Sequence, residues 1–357
     1  MLFLCYDNKI SALERNTAMT ASNKAKRIRE IGLILLCLVL FLLSGNSRKK
    51  EISRSGFYFD TIISITLYDK TDEALLDKCF SLADHYEQLF STTISDSDVS
   101  RINAAAGRPV TVSDDTLELI ELGLYYCRLS EGRFDLTIGP LSSLWDFSNN
   151  PGIVPDAADI KAALANVDYH AIVIDGSTVQ LTNPDAAIDL GGIAKGYIAD
   201  RMKDYLTANG VASGIINLGG NVLTIGSHTD GSPYTIGLQK PFDTTGAAIA
   251  SVEITDQTVV SSGIYERCFT VDDTLYHHIL DTSTGYPYDN GLLGVTIFCK
   301  RSADGDALST TCFAFGLEDG MKLIESLPDT EAVFITSDYK LHQSSGMGKT
   351  IPITPLN

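Results

Sequence analysis

Apolar and polar residues alternate with a period of two from Phe57 to Tyr68, where Thr, Ile and Ser interleave, and this pattern predicts a β-strand. The spacing then changes. Ala74, Leu75, Cys79, Leu82, Ala83, Tyr86 and Leu89 recur at helical intervals, and a second helix is expected from Asp114 towards Cys127. Shorter apolar runs come in pairs about turn residues: Ala171–Ile174 with Val179–Leu181 across Asp175-Gly176-Ser177, and Ala332–Thr336 with Lys340–Gln343. Helices interrupt antiparallel pairs instead of alternating with single strands, so the expected class is α+β and not a doubly wound parallel sheet. After about residue 55 no repeat, low-complexity tract or linker breaks the sequence, which predicts one folded unit over residues 51–357.

Residues 1–50 have another character. Lys24, Lys26, Arg27 and Arg29 precede an apolar run from Ile31 to Leu43, with Ser44-Gly45 behind it, the layout of a signal peptide or short signal anchor; Met19 offers a second start. The run is shorter than the roughly 20 residues that cross a bilayer as a helix. Leu43-Ser44-Gly45 resembles the front of a bacterial lipoprotein box, but Asn46 stands where the lipidated cysteine belongs. The basic residues ahead of the run place the expected body outside the cytoplasmic membrane and anchored to it through the N-terminus.

Charge narrows the partners. Nine of the 27 Lys and Arg but only three of the 45 Asp and Glu fall in the first 50 residues, so the remainder carries 18 basic against 42 acidic groups, about -24. Such a field repels nucleic acid and suits metal cations, although acidity also serves solubility alone. The composition, 44% hydrophobic and 20% charged, is that of a globular protein. Seven cysteines occur, five of them after the apolar run and none in a C-x-x-C pair, so buried thiols are expected in place of zinc or redox chemistry.

Four stretches can carry chemistry. In Asp189-Leu190-Gly191-Gly192-Ile193-Ala194-Lys195-Gly196-Tyr197 the paired glycines ahead of a helix admit close approach of an anion to backbone N–H groups, and Lys195 adds a positive charge; the same glycines also serve an unliganded turn. In Asp306-Ala307-Leu308-Ser309-Thr310 the four-residue spacing puts a carboxylate and a hydroxyl on one helical face, hard donors for Mg²⁺, unless Asp306 is merely an N-cap. In Tyr276-His277-His278-Ile279-Leu280-Asp281 only one of two adjacent histidines on a strand can face a site, and Asp281 is near enough in sequence to orient a general base. In Gly132-Arg133-Phe134-Asp135-Leu136-Thr137-Ile138-Gly139-Pro140, Phe134 can stack on a planar ring while Asp135 fixes polar edges, or both can belong to a turn above the core.

Together and in this order these stretches resemble the FAD:protein FMN transferase family, the ApbE-type flavin transferases. The resemblance runs from about Phe57 to the C-terminus and rests on GRFDLTIGPLSSLWDF, DLGGIAKGYIAD, NLGGN, SSGIYER, HHILDTSTGYP and DALSTTCFAFG. It implies an ApbE-like fold of antiparallel sheets packed by helices, with FAD in a cleft between subdomains. It further implies that Phe59, Arg133, Phe134, Asp135, Asp189, Lys195, His278 and Ile279 contact FAD. Gly192 through its carbonyl, with Asp306 and Thr310, would hold Mg²⁺, and His278 and Asp306 would be catalytic.

Three departures stand out. Phe59-Asp60-Thr61 replaces the frequent Met-Gly-Thr, no aromatic residue stands at Ser91-Thr92-Thr93, and Thr282 takes the place of a proline. The implied reaction moves FMN from FAD to a Ser or Thr hydroxyl of an acceptor bearing a Ser/Thr-Gly-Ala-Ser/Thr-like motif, releasing AMP. The nearest stretch in this chain, Thr245-Gly246-Ala247-Ala248, lacks the final hydroxyl, so the acceptor is expected to be another protein. An FAD pyrophosphatase would use the same residues with water as acceptor, whereas a non-catalytic extracytoplasmic flavin-binding protein would hold FAD without needing a base; the presence of both Asp306 and His278 favours catalysis.

Overall fold

The computed structural model describes residues 51–150 and 152–356; the signal or anchor segment expected within residues 1–50 lies outside them. The chain opens with the hairpin β1 (Ile52–Tyr58) and β2 (Thr61–Leu67), then α1 (Glu73–Phe90), α2 (Asp98–Asn103), β3 (Val110–Thr111) and α3 (Asp114–Leu129). Two short helices, α4 (Gly139–Trp145) and α5 (Ala157–Leu164), precede the hairpin β4 (Ile172–Asp175) and β5 (Thr178–Leu181). Helix α6 (Ala194–Ala208) leads to β6 (Ser213–Leu218), β7 (Asn221–Gly226), β8 (Tyr234–Gln239), β9 (Ala248–Ile254) and β10 (Thr258–Gly263). Then come β11 (Cys268–Val271), β12 (Thr274–His277), β13 (Leu292–Cys299) and α7 (Ser302–Ser326), with β14 (Glu331–Thr336), β15 (Leu341–Gln343) and β16 (Ile353–Pro355) last.

Eight strands make the main sheet, in the order β1-β2-β6-β7-β10-β13-β14-β15, and every pair in it is antiparallel. The α+β expectation is met. All eight residues of β13 are buried, as befits a strand covered on both faces. Helix α7 lies against β10, β13 and α6, while α6 lies against β6, β7 and α1.

Local chemistry accounts for the helix ends. Asp72 accepts from the Ala74 N–H ahead of α1, and its buried stripe of Leu75, Leu76, Cys79, Phe80, Ala83, Tyr86 and Phe90 faces the core. Ser113 caps α3 at the Thr116 N–H, with Asp114 and Asp115 complementing the helix dipole in the first turn. Of the five cysteines described, none is in a disulfide and all but the half-buried Cys268 are buried.

Two elements differ from the sequence reading. The single strand expected from Phe57 to Tyr68 is the second half of a hairpin, turning at Phe59 and Asp60 with φ of 54° and 56°. Both lie in the left-handed region, where glycine and asparagine are the usual signals, so Phe-Asp gave no warning. The helix that carries Asp306 begins four residues before it, so Asp306 is not the N-cap that the sequence left open, and it is bent at Gly316 with φ 78°. There the Asn290 side chain donates to the Phe313 carbonyl at 2.6 Å, satisfying a group near the bend.

Candidate active site

Backbone hydrogen bonds bring two of the sequence motifs together first. Asp189 N–H donates to the Leu136 carbonyl at 2.8 Å and Gly139 N–H to the Ala187 carbonyl at 3.1 Å, so the Arg133–Gly139 and Asp189–Lys195 segments run side by side. Phe134, buried, lies against Gly192: a Cβ there would sit 3.0 Å from the ring, a close approach that glycine permits. The Asp189 carboxylate holds the turn by accepting from Gly191 N–H at 2.8 Å.

Helix α7 closes against this turn. Asp306 is in its second turn, not at its N-cap, and is 5% exposed. Its Oδ2 accepts from Gly196 N–H at 3.0 Å, and its Oδ1 faces Lys195 Nζ at 3.4 Å. The same ammonium donates to the Gly191 carbonyl at 3.1 Å. The carbonyl that Lys195 reaches is therefore that of Gly191, next to the Gly192 carbonyl that the resemblance assigns to the metal. Thr310, one turn on from Asp306, shares a hydroxyl cluster with Ser262 at 3.3 Å, and Ser262 in turn meets Ser309 at 2.7 Å.

These groups fit a hard divalent cation. A carboxylate oxygen, a backbone carbonyl and hydroxyls are the donor types Mg²⁺ selects, and a lysine ammonium already bridges two of them. Among the described residues no three His, Cys, Asp or Glu stand together in a metal-holding group. A cation here would therefore complete its shell with water and phosphate, the habit of Mg²⁺ more than of zinc.

The two histidines are not on one strand: β12 ends at His277 and His278 stands just past it. His277 is buried, with Nε2 2.9 Å from the Tyr288 carbonyl and Nδ1 accepting from Ile279 N–H at 3.3 Å, so its ring and Ile279 belong to the core. His278 is half-buried, its N–H on the Arg267 carbonyl at 3.1 Å and its Nδ1 occluded without a hydrogen-bond partner. Burial, reinforced by Arg267, His277 and Lys195, pushes its pKa down to about 3, so the ring is neutral at pH 7. Asp281 does not orient it: Oδ1 accepts from Ser283 N and Oγ, each at 2.7 Å, and Oδ2 from Thr284 Oγ1 at 3.1 Å. The carboxylate is consumed by its own turn.

Other residues take unexpected places. Asp135 is buried with both oxygens engaged, Oδ1 by Thr137 N and Oγ1 and Oδ2 by Tyr169 N at 2.9 Å, so it braces the turn instead of presenting an acceptor to a ligand. Arg133 lays its guanidinium over Phe315 at 4.7 Å and pairs with Glu131 at 3.2 Å. Phe59, in the β1–β2 turn, is held by Glu87 through its N–H at 2.8 Å and neighbours Tyr58. Thr282, at the proline position of the resemblance, ties its hydroxyl to the Gly132 carbonyl at 2.9 Å and so links the histidine turn to the Arg133 segment.

Glu266 was not singled out from the sequence, though SSGIYER contains it. Although the residue as a whole is exposed, burial around its carboxyl group pushes its pKa up to about 7, against the pull of Lys195 and Arg267 and with a push from Asp306. That shared field places it in the same electrostatic neighbourhood as Lys195 and Asp306.

A glycine turn, a lysine and a carboxylate-hydroxyl helix face thus meet in an antiparallel α+β body, groups whose chemistry suits phosphate and a cation. The chain belongs to the ApbE family, whose family model matches residues 59–334. It is 42% identical over 302 residues to the FAD:protein FMN transferase of Klebsiella pneumoniae (strain 342), covering 84% of this chain and 93% of that one. Identity to the FAD:protein FMN transferase of Treponema pallidum is 32% over 336 residues, 88% of this chain and 93% of the relative. Among solved structures, flavin transferase ApbE from Vibrio cholerae superposes with a TM-score of 0.74 at 28% identity, and the ApbE protein of Thermotoga maritima with 0.77 at 30%. Each covers 83% of this chain and 97% of the other.

Proposed function

We propose that this protein transfers the FMN half of FAD to a Ser or Thr hydroxyl of an acceptor protein and releases AMP. The observation that carries the reading is the convergence of Lys195, the Gly191 carbonyl and the Asp306 carboxylate, in a chain related along most of its length to proteins with that activity.

In this reading the FAD pyrophosphate lies at the Gly191-Gly192 turn, where Lys195 neutralises phosphate charge. Asp306, Thr310 and the Gly192 carbonyl would hold Mg²⁺, which when bound would offset charge growing on the phosphate oxygens. Phe134 and Arg133 border the flavin side, with Asp189 keeping the turn in shape. The acceptor oxygen forms a bond to the FMN phosphorus as the bond from that phosphorus to the AMP oxygen breaks, and AMP leaves with the electron pair. The hydroxyl proton passes to His278, which is neutral and has an occluded, unpartnered Nδ1. The acceptor carries a Ser/Thr-Gly-Ala-Ser/Thr-like motif.

The N-terminal segment, on its basic and apolar pattern, exports the body and keeps it at the outer side of the cytoplasmic membrane; recovery of the full chain in the soluble cytoplasmic fraction would refute this. No helix among the described residues is long and apolar enough to cross a membrane. The reaction itself is tested by incubating the protein with FAD, Mg²⁺ and a domain bearing the motif, then viewing a denaturing gel under ultraviolet light. A fluorescent acceptor band is expected. A dark band with FMN and AMP accumulating in solution would make the protein a pyrophosphatase instead.

A further inference from the structure

The motif around Lys195 ends in Asp200, a residue with no part in the chemistry above. It is buried, one turn further along α6 than Gly196, and its side chain leaves its own helix. Oδ1 accepts from Ser302 N–H at 2.8 Å and Oδ2 from Ala303 N–H at 3.0 Å. These are the first two residues of α7, whose preceding residue, Arg301, makes no side-chain cap. Asp200 therefore caps α7 from another helix, meeting two of the orphan donors every helix start leaves.

The arrangement is reciprocal. Asp306, in the second turn of α7, accepts from Gly196 N–H in the first turn of α6, where Ile193 likewise makes no side-chain cap. Each helix supplies the carboxylate that caps the other. The crossing is close enough to demand glycine: a Cβ on Gly196 would overlap the Ser302 carbonyl and come within 2.6 Å of Ala303 Cα. Ser302 adds a further tie, donating from Oγ to Asn221 Oδ1 at 2.6 Å. With both ends clamped, Asp306 is fixed through Oδ2, leaving Oδ1 turned to Lys195.

We infer that Asp200 is a positioning residue for the metal site: by capping α7 it sets the rotation and depth of that helix, and so aims Oδ1 of Asp306 at the cation. The inference rests on the reading of Asp306 as a metal ligand. Outer-shell partners that orient a ligand typically weaken metal binding about 10- to 100-fold when lost. Burial opposes the charge of Asp200 and pushes its pKa up to about 6, and the two N–H groups it receives offset this only in part, so the carboxylate depends on the start of α7 as that helix depends on it.

The test is Mn²⁺ binding to the full-length protein with FAD present, followed by electron paramagnetic resonance, for wild type, Asp200→Asn, Asp200→Glu and Asp306→Ala. Asparagine removes one cap acceptor and the charge; glutamate keeps both oxygens but displaces them by a methylene. Either variant should bind Mn²⁺ about tenfold more weakly, with turnover at saturating metal recovering to within about threefold of wild type, a split that general destabilisation would not produce. Wild-type Mn²⁺ affinity in whichever variant folds would overturn the inference. Equal Mn²⁺ binding by wild type and Asp306→Ala would instead overturn the metal reading beneath it.

Discussion

Asp306 performs two tasks with two oxygens, and neither is visible in its immediate sequence. Spacing to Thr310 placed a carboxylate and a hydroxyl on one helical face, and that much survives in α7. That Oδ2 would be held by Gly196, 110 residues earlier, follows only from the crossing of two helices. His278 shows a similar limit: it stands just past the strand that ends at His277, and the sequence neighbour Asp281 folds back on its own turn and leaves the imidazole among positive charges. Those surroundings make a prediction. In a pH titration followed by nuclear magnetic resonance, the His278 ring should stay neutral below pH 5, its pKa lowered from 6.5 to about 3. A histidine held neutral in the fold contributes stability that is present above its ordinary pKa and is lost as pH falls from about 6.5 towards 3. Protonation of the ring near pH 6.5 would contradict the site's electrostatics. His278→Ala should still bind FAD while transfer slows by about 10²-fold or more.

At the scale of elements, helices α1 and α3 were readable because their apolar stripes are long and their caps, Asp72 and Ser113, sit where the pattern begins. The β1–β2 turn was not, since Phe59 and Asp60 adopt positive φ without the residues that usually announce it. Nor was the start of α7, because its cap is a side chain of α6. The contrast yields two substitutions of different size. Ser113→Ala removes a local cap and should cost about 1 kcal/mol in urea unfolding. Gly196→Ala forces a methyl group into the backbone of Ser302 and should cost about 1–3 kcal/mol, lowering transferase activity as α6 and α7 separate. A Gly196→Ala protein as stable as wild type would mean that the two helices do not cross as closely as described.

Across the whole molecule, the strand order β1-β2-β6-β7-β10-β13-β14-β15 combines local hairpins with pairings such as β2 to β6, between segments about 150 residues apart. Apolar alternation signals strands but not which distant partner each will find, so the antiparallel class was legible and the topology was not. What the topology accomplishes is to gather the site. The main sheet holds β10 and β13 beneath α7, α6 enters beside it, and the Arg133 segment is laced to the glycine turn by backbone bonds. Residues from four separate stretches thereby share one electrostatic field, in a protein whose relatives transfer FMN from FAD. The most direct test is the stoichiometry of a single reaction with FAD, Mg²⁺ and an acceptor domain, measuring covalent FMN on the intact acceptor by mass spectrometry and free AMP by chromatography. One AMP released for each FMN attached is expected from the wild type, and at least about 10²-fold less of both from Asp306→Ala. Adduct formation undiminished in Asp306→Ala, or AMP released with no adduct on the acceptor, would contradict the account.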